Sequence, residues 1–517
     1  MKKILNIFAT ATAVISMTSC GDFLEPNSKS EFVPKDAVSL NELLLGEAYQ
    51  RNDMDGFSVF LNLLDDDIEA APYQTAAEGF DANKYLASFS WQPEMFKMME
   101  QAAAGHTNVY ERYYEVILGA NAVIDYLPNV NDTEDNINKV KAQAYALRGF
   151  YYFNLVNIFG QPYNSDSTAL GVPLKLQSGI EPSEDFLKRK TVAEVYAQIL
   201  SDLHTAEATY LELPVSEQWS DNYRTSLPMV QLMLSRTYLY MENWEEAARY
   251  AKMVMDDSRF KLIDLNTVST KGFDEKGEEV RTYLNMPTYK CSETIWPYGS
   301  ITDMFKWSYD YANRTNSDGQ NMHSYFQASE SLLDSYLDYD LRLKHYIVQL
   351  TDSTLGKMNM PFGKVNIGTK YYLPLNATGA FGRSLRLSEA YLNYAEAKAM
   401  LGGSGDNEAI AALNTLLEKR FDPEFFEEVE FSNNAELVQF VRNERRRELC
   451  YEGHRWFDLR RWGMPSITHT WYNEDGSSST YTLQEGDLMY TVPIPDEALQ
   501  SNSSLVQNEL PSKRIPQ

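Results

Sequence analysis

Apolar side chains recur along residues 141–159 with the spacing of one face of an α-helix. Gly160 and Pro162 follow, and this order of residues is typical of the end of a helix. A similar pattern predicts a second amphipathic helix over residues 109–127, ending at Pro128. The apolar stripe of the first helix consists of Ala144, Leu147, Tyr151, Leu155 and Ile158.

Two pairs of helical segments have the pattern of tetratricopeptide-like hairpins. The first pair covers residues 229–241 and, after a short turn, 243–250. The second covers residues 388–401 and 407–420, which are separated by a glycine-rich turn. Because such hairpins cannot bury their apolar faces alone, they stack on neighbouring units. The pattern therefore predicts a mostly α fold.

The helical period fades between about residues 257 and 387, where glycine, proline, asparagine and aromatic residues become more frequent. Residues 293–296 have the pattern of a short buried strand. Residues 468–472 and 479–483 alternate around Asp475-Gly476, which predicts a β-hairpin.

These patterns together predict one domain over residues 36–517 with a minor-β, loop-rich face displayed on helices. Loops held on a rigid scaffold are where binding usually occurs. The predicted parts are a helical scaffold (about 36–256 and 388–465), a loop-rich binding portion (about 257–387) and a C-terminal hairpin and tail (466–517).

The first residues have the pattern of a lipoprotein signal. Lys2 and Lys3 precede an apolar run that reaches about Met17, and Cys20 follows. The apolar run is too short to span a bilayer as a permanent helix. This pattern predicts cleavage after residue 19, lipidation of Cys20 and a polar tether over residues 20–35. Acyl chains on Cys20 would anchor the protein stably to a membrane.

The composition excludes some classes of binding partner. The formal net charge of −27 argues against binding to nucleic acid, which depends on basic residues. Besides Cys20, the chain has Cys291 and Cys450, which do not form a Cys-x-x-Cys spacing. The chain contains 34 tyrosines. Tyrosine offers an apolar face with a polar tip, which suits ligand contact, although most of these rings are expected in the core.

Sequence motifs of common enzymes are missing. The chain lacks a Walker loop, a dinucleotide-binding glycine motif, His-Glu-x-x-His and Gly-x-Ser-x-Gly. Its six histidines show no metal-ligand spacing. A pair of carboxylates of the glycosidase kind stays open, because sequence cannot show the distance between them. We nevertheless predict a protein without catalytic residues and without a cofactor.

The acidic run Asp65-Asp66-Asp67, with Glu69, has two interpretations. Its oxygen atoms would suit Ca²⁺, but no EF-hand loop surrounds them. We predict a solvated charge run at the end of a helix, and no metal site.

The segment from Arg442 to Arg461 is rich in arginine and could bind an acidic ligand. However, Glu444 and Arg447 are three residues apart, as are Arg445 and Glu448, so ion pairs on one helix could satisfy these charges. We therefore predict a structural role for this segment.

The same segment carries a resemblance to a known family. Residues 444–463 (ERRRELCYEGHRWFDLRRWG) closely resemble the C-terminal signature of the SusD/RagB family. Residues 20–24 (CGDFL) are similar to the lipidated start of that family, and residues 142–163 to its helix that ends in FGxxPY. Residues 490–495 (YTVPIP) resemble its closing segment, although Glu509-Leu510 stands where many members have Pro-Gly.

The resemblance implies a lipoprotein of the outer membrane of Bacteroidetes-type bacteria, exposed at the cell surface. Members of the family have tetratricopeptide-like helices under a loop-rich binding face. They act without catalysis as lids over a SusC-like TonB-dependent transporter, to which they deliver oligosaccharides or, in some members, peptides. The arginine-rich signature is then part of the scaffold.

The ligand residues do not follow from the motif, so we infer them from chemistry. Sugar rings stack on Trp and Tyr, while their hydroxyl groups bind amides and charged groups, and peptides would use the same aromatic faces. Trp296 is the candidate that best fits a core residue instead, because it belongs to the predicted strand. The candidates are Tyr73, Gln74, Asn83, Tyr85 and Trp91 in one region and Trp296, Tyr298, Trp307, Tyr309, Tyr311, Asn313, Arg314 and Asn316 in the other.

Three functions follow from these observations. The leading hypothesis is capture of oligosaccharides for a TonB-dependent transporter. The second keeps the same architecture with a peptide ligand, and the third is a surface glycoside hydrolase.

Overall fold

The computed structural model describes most of the chain. The described residues are 33–50, 57, 60–71, 83–101, 108–179, 184–273, 276–300, 326–352, 356–360, 363–365, 381–473 and 475–517. The predicted signal peptide, Cys20 and the first part of the tether lie outside them.

Helices dominate the described part of the chain, which confirms the predicted fold class. In chain order they are α1 Ala37–Glu47, α2 Asn83–Phe89, α3 Met95–Gln101, α4 Val109–Tyr126, α5 Glu134–Phe159, α6 Tyr163–Asp166, α7 Val192–Glu212, α8 Leu227–Tyr240, α9 Trp244–Met255, α10 Glu330–Leu333, α11 Leu341–Tyr346, α12 Leu387–Leu401, α13 Ser404–Leu417, α14 Asn434–Leu449, α15 Arg455–Arg461 and α16 Asp496–Ser501.

The described strands are short and pair as antiparallel couples. The couples are β1–β7, β2–β3, β4–β5, β6–β10, β8–β9 and β11–β12. Their ranges are β1 Ile68–Ala70, β2 Leu170–Pro173, β3 Arg189–Thr191, β4 Lys271–Phe273, β5 Glu279–Arg281, β6 Thr294–Tyr298, β7 Phe326–Ala328, β8 Val348–Asp352, β9 Gly356–Met360, β10 Arg383–Arg386, β11 Ile467–Tyr472 and β12 Ser478–Leu483.

Helix α5 is the centre of the core. All five residues of the predicted apolar stripe are fully buried, and so are side chains outside the stripe, such as Phe153 and Val156. The helix begins seven residues earlier than predicted, because Thr133 caps it by accepting a hydrogen bond from the Asn136 N–H. It ends at Phe159, before Gly160, as predicted.

Both predicted hairpins form. Helix α8 packs against α9, and α12 packs against α13, while α9 also packs against α12. Asn243 caps α9 by accepting from the Glu246 N–H, which fixes the turn between the first two helices. The amphipathic faces thus stack on one another as tetratricopeptide-like units do.

Strands in the loop-rich portion are tied to the helical part. The predicted strand at residues 293–296 is confirmed as β6, which pairs with β10 immediately before α12. Strand β7 pairs with β1, so that Phe326 lies opposite Ala70. The predicted C-terminal hairpin is β11–β12, with Ile467 opposite Leu483. The chain on both sides of residues 301–325 is therefore anchored by strand pairs.

Candidate functional site

A cluster of fully or almost fully buried charges joins the loop-rich portion to the C-terminal helices. We call it the buried charge cluster. Its anions and cations are equal in number, so that their formal charges cancel. The members are Glu293, Asp340, Arg342, Lys364, Arg386, Arg420, Glu444, Arg447, Glu448 and Glu452.

Glu448 on α14 is the hub of this cluster. Its carboxylate accepts hydrogen bonds from Arg386 at 2.6 Å, Arg420 at 2.9 Å and Arg342 at 3.1 Å. Burial alone would raise the pKa of Glu448, but the three guanidinium groups outweigh it and hold that pKa well below its usual range. The cluster holds α11, β10 and the end of α13 against α14.

The arginine-rich segment therefore belongs to the scaffold, as predicted, but one of its two predicted ion pairs is wrong. Arg447 pairs with Glu444 at 2.7 Å. Arg445 instead pairs with Asp458 of α15 at 2.8 Å. The carboxylate of Glu448 is occupied by arginines from other elements, which spacing along one helix could not reveal.

The prediction of a solvated acidic run at residues 65–67 is also wrong. Asp67 is buried and pairs with Arg446 at 2.8 Å. Asp66 accepts from Arg455 at 2.6 and 2.8 Å in a two-pronged contact. Because Arg455 binds both oxygens of Asp66 and Arg446 binds Oδ1 of Asp67, the run has a structural role. Among the described residues, no group of three or more His, Cys, Asp or Glu could hold a metal ion.

The first candidate region contributes core residues. Trp91 is completely buried, and its indole N–H donates to the Leu64 carbonyl at 2.9 Å. His469 stacks on the Trp91 ring with centroids 4.2 Å apart. Tyr85 is buried near Phe326. Neither side chain has a face for a ligand. Asn83 begins α2, but its side chain, like Tyr73 and Gln74, lies outside the described part.

The described members of the second candidate region, Trp296 and Tyr298, belong to a group of aromatic rings. We call this group, Tyr49, Phe150, Tyr223, Trp296, Tyr298 and Phe381, the aromatic cluster. Trp296 is buried, and its indole N–H donates to the Tyr223 carbonyl at 2.9 Å. Tyr298 stacks on it with centroids 4.9 Å apart and remains partly exposed.

Trp296 is therefore a core residue that supports the partly exposed ring of Tyr298. The other candidates of this region lie outside the described residues. They are Trp307, Tyr309, Tyr311, Asn313, Arg314 and Asn316.

Sequence reasoning missed Tyr223, which lies between α7 and α8. Its side chain is 38% exposed, and its ring lies 6.0 Å from Phe381 and 6.1 Å from Tyr49. The sequence feature that could have revealed it is an aromatic residue directly after the polar stretch Ser220-Asp221-Asn222. Tyr223 brings an exposed ring against Phe381, which belongs to the loop-rich portion.

Sequence reasoning also missed Arg383, the β10 residue opposite Tyr298. Only 9% of Arg383 is exposed, and its buried Nε and Nη2 atoms have no hydrogen-bond partner among the described residues. Burial raises the pKa of the Tyr298 phenol, and the charge of Arg383 offsets only part of this rise. No pattern distinguished Arg383 from the other arginines of the chain.

Tyr223 and Tyr298 together provide partly exposed apolar ring faces with polar tips, and the buried Arg383 lies opposite Tyr298. Such a combination binds polar ligands that have an apolar face, among them sugars and peptides. These three groups include no carboxylate pair of the kind that hydrolyses glycosides.

Comparison with protein families and relatives agrees with the fold. The model of the SusD family matches residues 376–510, and a model described as starch-binding associating with outer membrane matches residues 23–239. Two SusD-like proteins of Formosa agariphila are 26% and 24% identical to this chain. The alignments cover 76% and 89% of this chain and 78% and 92% of those proteins.

Solved structures share the architecture. A SusD superfamily protein from Bacteroides thetaiotaomicron matches with a TM-score of 0.65 and 21% identity, over 92% of this chain and 100% of that one. A SusD-like carbohydrate binding protein from Bacteroides vulgatus matches with a TM-score of 0.65 and 20% identity, over 91% and 97%. The two family models together match residues 23–239 and 376–510, and the second of these ranges contains the signature at residues 444–463. The models show that the chain belongs to the SusD/RagB family, whose fold the solved structures share.

Proposed function

We propose that this protein captures oligosaccharides at the outer membrane and acts without catalysis. The observation that carries the proposal is the pair of partly exposed rings, Tyr223 and Tyr298, at the surface of the aromatic cluster. The family model described as starch-binding associating with outer membrane supports the same ligand class and location. No helix within the described ranges has the length and apolar character needed to cross a membrane.

Physical chemistry supports a sugar ligand at this face. The Tyr223 ring can stack on the C–H face of a pyranose, and Tyr298 stays in place because Trp296 and Phe150 pack on it, with Phe150 5.0 Å from each ring. Further contacts are proposed for Tyr73, Asn83, Trp307, Tyr309, Tyr311, Asn313 and Arg314.

The remaining steps of the proposal concern the membrane and the partner. Cys20 would carry the lipid that holds the protein at the outer membrane, consistent with the signal pattern before it. A SusC-like TonB-dependent transporter would receive the ligand. Co-purification of such a transporter with the full-length protein, and loss of membrane association in Cys20→Ser, would test these two steps.

The test of ligand capture is calorimetric titration of the full-length protein in detergent with neutral oligosaccharides, acidic oligosaccharides and short peptides. We expect saccharide binding that weakens about tenfold in Tyr223→Ala, because stacking on an aromatic ring contributes about 0.5–1.5 kcal/mol beyond its buried area. Trp307→Ala tests the proposed contacts in residues 301–325 in the same way. Phe425→Ala is the control, because Phe425 is 56% exposed and lies outside the aromatic cluster.

The other outcomes decide against the proposal. Binding to peptides alone would assign the protein to peptide uptake. Hydrolysis of a bound glycan that depends on one Asp or Glu would contradict a function without catalysis. Saccharide binding unchanged in Tyr223→Ala and Trp307→Ala would place the site elsewhere.

A further inference from the structure

A cavity lies in the helical scaffold. It has a volume of about 470 Å³ and lies between the first turns of α1, the first turns of α5 and the segment 216–225. We call it the scaffold cavity. Its volume falls within the roughly 300–1,000 Å³ that is usual for small-molecule sites.

Arg224 is the main charged group of the scaffold cavity. Its Nη1 atom donates to the Asn41 side-chain oxygen and, at 3.5 Å, to that of Gln143. The Gln143 amide is itself oriented, because its nitrogen donates to the Lys139 carbonyl at 2.8 Å and its oxygen accepts from Tyr49 at 2.8 Å. The guanidinium of Arg224 is therefore held in a fixed orientation.

One edge of this guanidinium has no partner. Arg224 forms no ion pair within the described ranges, and its Nε and Nη2 atoms make no hydrogen bond there. The Nε–Nη2 edge of an arginine fits a carboxylate through two parallel hydrogen bonds. The edge that matches a carboxylate is thus the edge that the protein leaves unused.

The charges of the cavity lining favour an anion. Lys139 and Glu217 of the lining pair with each other, so the charge of Arg224 remains uncompensated. An excess of positive charge is unusual in a chain whose formal net charge is −27. An anionic group in the cavity would balance it.

An aromatic ring completes the lining. Trp219 is half-buried and fixed by Phe260, which packs edge-on with centroids 5.8 Å apart. Its indole N–H has no hydrogen-bond partner within the described part of the chain. A ring wall, an open indole donor and a carboxylate-binding edge suit a sugar that carries a carboxylate, since its ring offers both C–H faces and oxygen acceptors.

We propose that the scaffold cavity binds the acidic sugar unit of a glycan, a uronic acid, with Arg224 on its carboxylate and Trp219 beside its ring. This inference rests on the proposed function, because it takes the ligand to be a saccharide. It adds a site distinct from the aromatic cluster and a preference for acidic glycans.

The test is calorimetric titration of the full-length protein in detergent with sodium glucuronate, glucose and sodium acetate. We expect glucuronate to bind at least tenfold more tightly than either glucose or acetate, and more weakly at high salt. Arg224→Gln should weaken glucuronate binding at least tenfold. Arg224→Lys keeps the charge but loses the two-pronged edge, so it should also weaken binding about tenfold.

Arg112→Gln is the control, because Arg112 is an exposed surface arginine paired with Glu115. Thermal melting of each variant separates loss of binding from loss of folding. If Arg224→Gln fails to fold, Arg224→Lys and Trp219→Phe, which removes the indole N–H, decide the question.

Three outcomes would overturn the inference. They are no glucuronate binding to the unchanged protein, glucuronate binding that Arg224→Lys and Arg224→Gln leave intact, and acetate binding as tightly as glucuronate. Neutral oligosaccharide binding that depends on Tyr223 would then leave the proposed function in place. Conversely, uronate binding at Arg224 without any binding at the aromatic cluster would contradict the site proposed at the aromatic cluster and support the site in the scaffold cavity.

Discussion

Gly453 lies directly against the guanidinium of Arg383. A Cβ atom added at Gly453 would be 2.5 Å from the Nη1 atom of Arg383, and Gly453 has a φ of +83°. Side chains are disfavoured at such a φ, and this glycine also leaves room for a buried arginine beside Tyr298. One position of the family signature thus shapes the surroundings of a candidate ligand residue.

The variant Gly453→Ala should therefore lose stability and alter the proposed site. We expect a decrease of about 1–3 kcal/mol in the free energy of unfolding, from backbone strain and displacement of Arg383. Denaturant titration measures it. Gly486→Ala is the matched control, because Gly486 has a φ of +67° with no atom within 4 Å of the added Cβ. Equal losses in the two variants would show that the contact with Arg383 is unimportant.

Removal of the charge at the hub of the buried charge cluster should strongly lower the free energy of unfolding. Glu448→Gln keeps the shape of the side chain but leaves Arg342, Arg386 and Arg420 undercompensated, so we expect a loss of about 3–5 kcal/mol. In contrast, Glu115→Gln breaks the exposed pair with Arg112 and should cost less than about 1 kcal/mol. A loss in Glu448→Gln as small as in Glu115→Gln would contradict the role of the cluster.

The buried His469 predicts a pH dependence of stability. Burial lowers the pKa of His469 to about 4, although the Phe89 and Asp65 carbonyls near its ring nitrogens oppose this shift. Between the ordinary value of 6.5 and about 4, the unfolded chain binds a proton at this residue that the folded protein does not. Acidification through this interval therefore destabilises the fold.

His469→Gln should remove this contribution. The free energy of unfolding, measured at intervals between pH 7 and pH 5, should fall less steeply in the variant, by about 1.4 kcal/mol per pH unit below pH 6.5. The slope is the informative quantity, because the substitution itself lowers stability at every pH. Identical slopes in variant and unchanged protein would show that His469 does not stay neutral in the fold.

Trp91 should matter for stability and not for ligand binding. In Trp91→Phe the Leu64 carbonyl loses its buried donor, which should cost about 1–3 kcal/mol. Oligosaccharide affinity, measured by calorimetry where the variant is folded, should stay within twofold. A tenfold weaker affinity at unchanged stability would return Trp91 to the set of ligand residues.

Local patterns predicted the secondary structure well. The α5 stripe, the two hairpins and the β11–β12 turn depend on neighbours within a few residues, so spacing and turn chemistry were sufficient. The start of α5 was missed because the cap at Thr133 precedes the apolar stripe.

The roles of the candidate site residues could not be predicted from sequence, because contacts with distant segments decide them. Trp91 and Trp296 have the composition of ligand residues, but each indole finds a carbonyl from a distant segment and becomes buried. Likewise, Arg445 and Glu448 are correctly spaced for an ion pair with each other. Each instead pairs with residues of other elements that are 13 or more positions away in sequence. Arg224 and Asn41 are 183 residues apart, so only the fold could reveal the scaffold cavity.

The paired strands on either side of residues 301–325 have an evolutionary consequence. Tyr298 is held opposite Arg383, and Phe326 opposite Ala70, so the ends of this stretch are fixed by the scaffold. When the ends of a stretch are fixed, each doubling of its length costs only about 0.6 kcal/mol of closure entropy. Changes of length between these fixed ends would therefore cost little stability, so that this stretch can vary among descendants of one ancestor while the signature and its charge cluster stay unaltered.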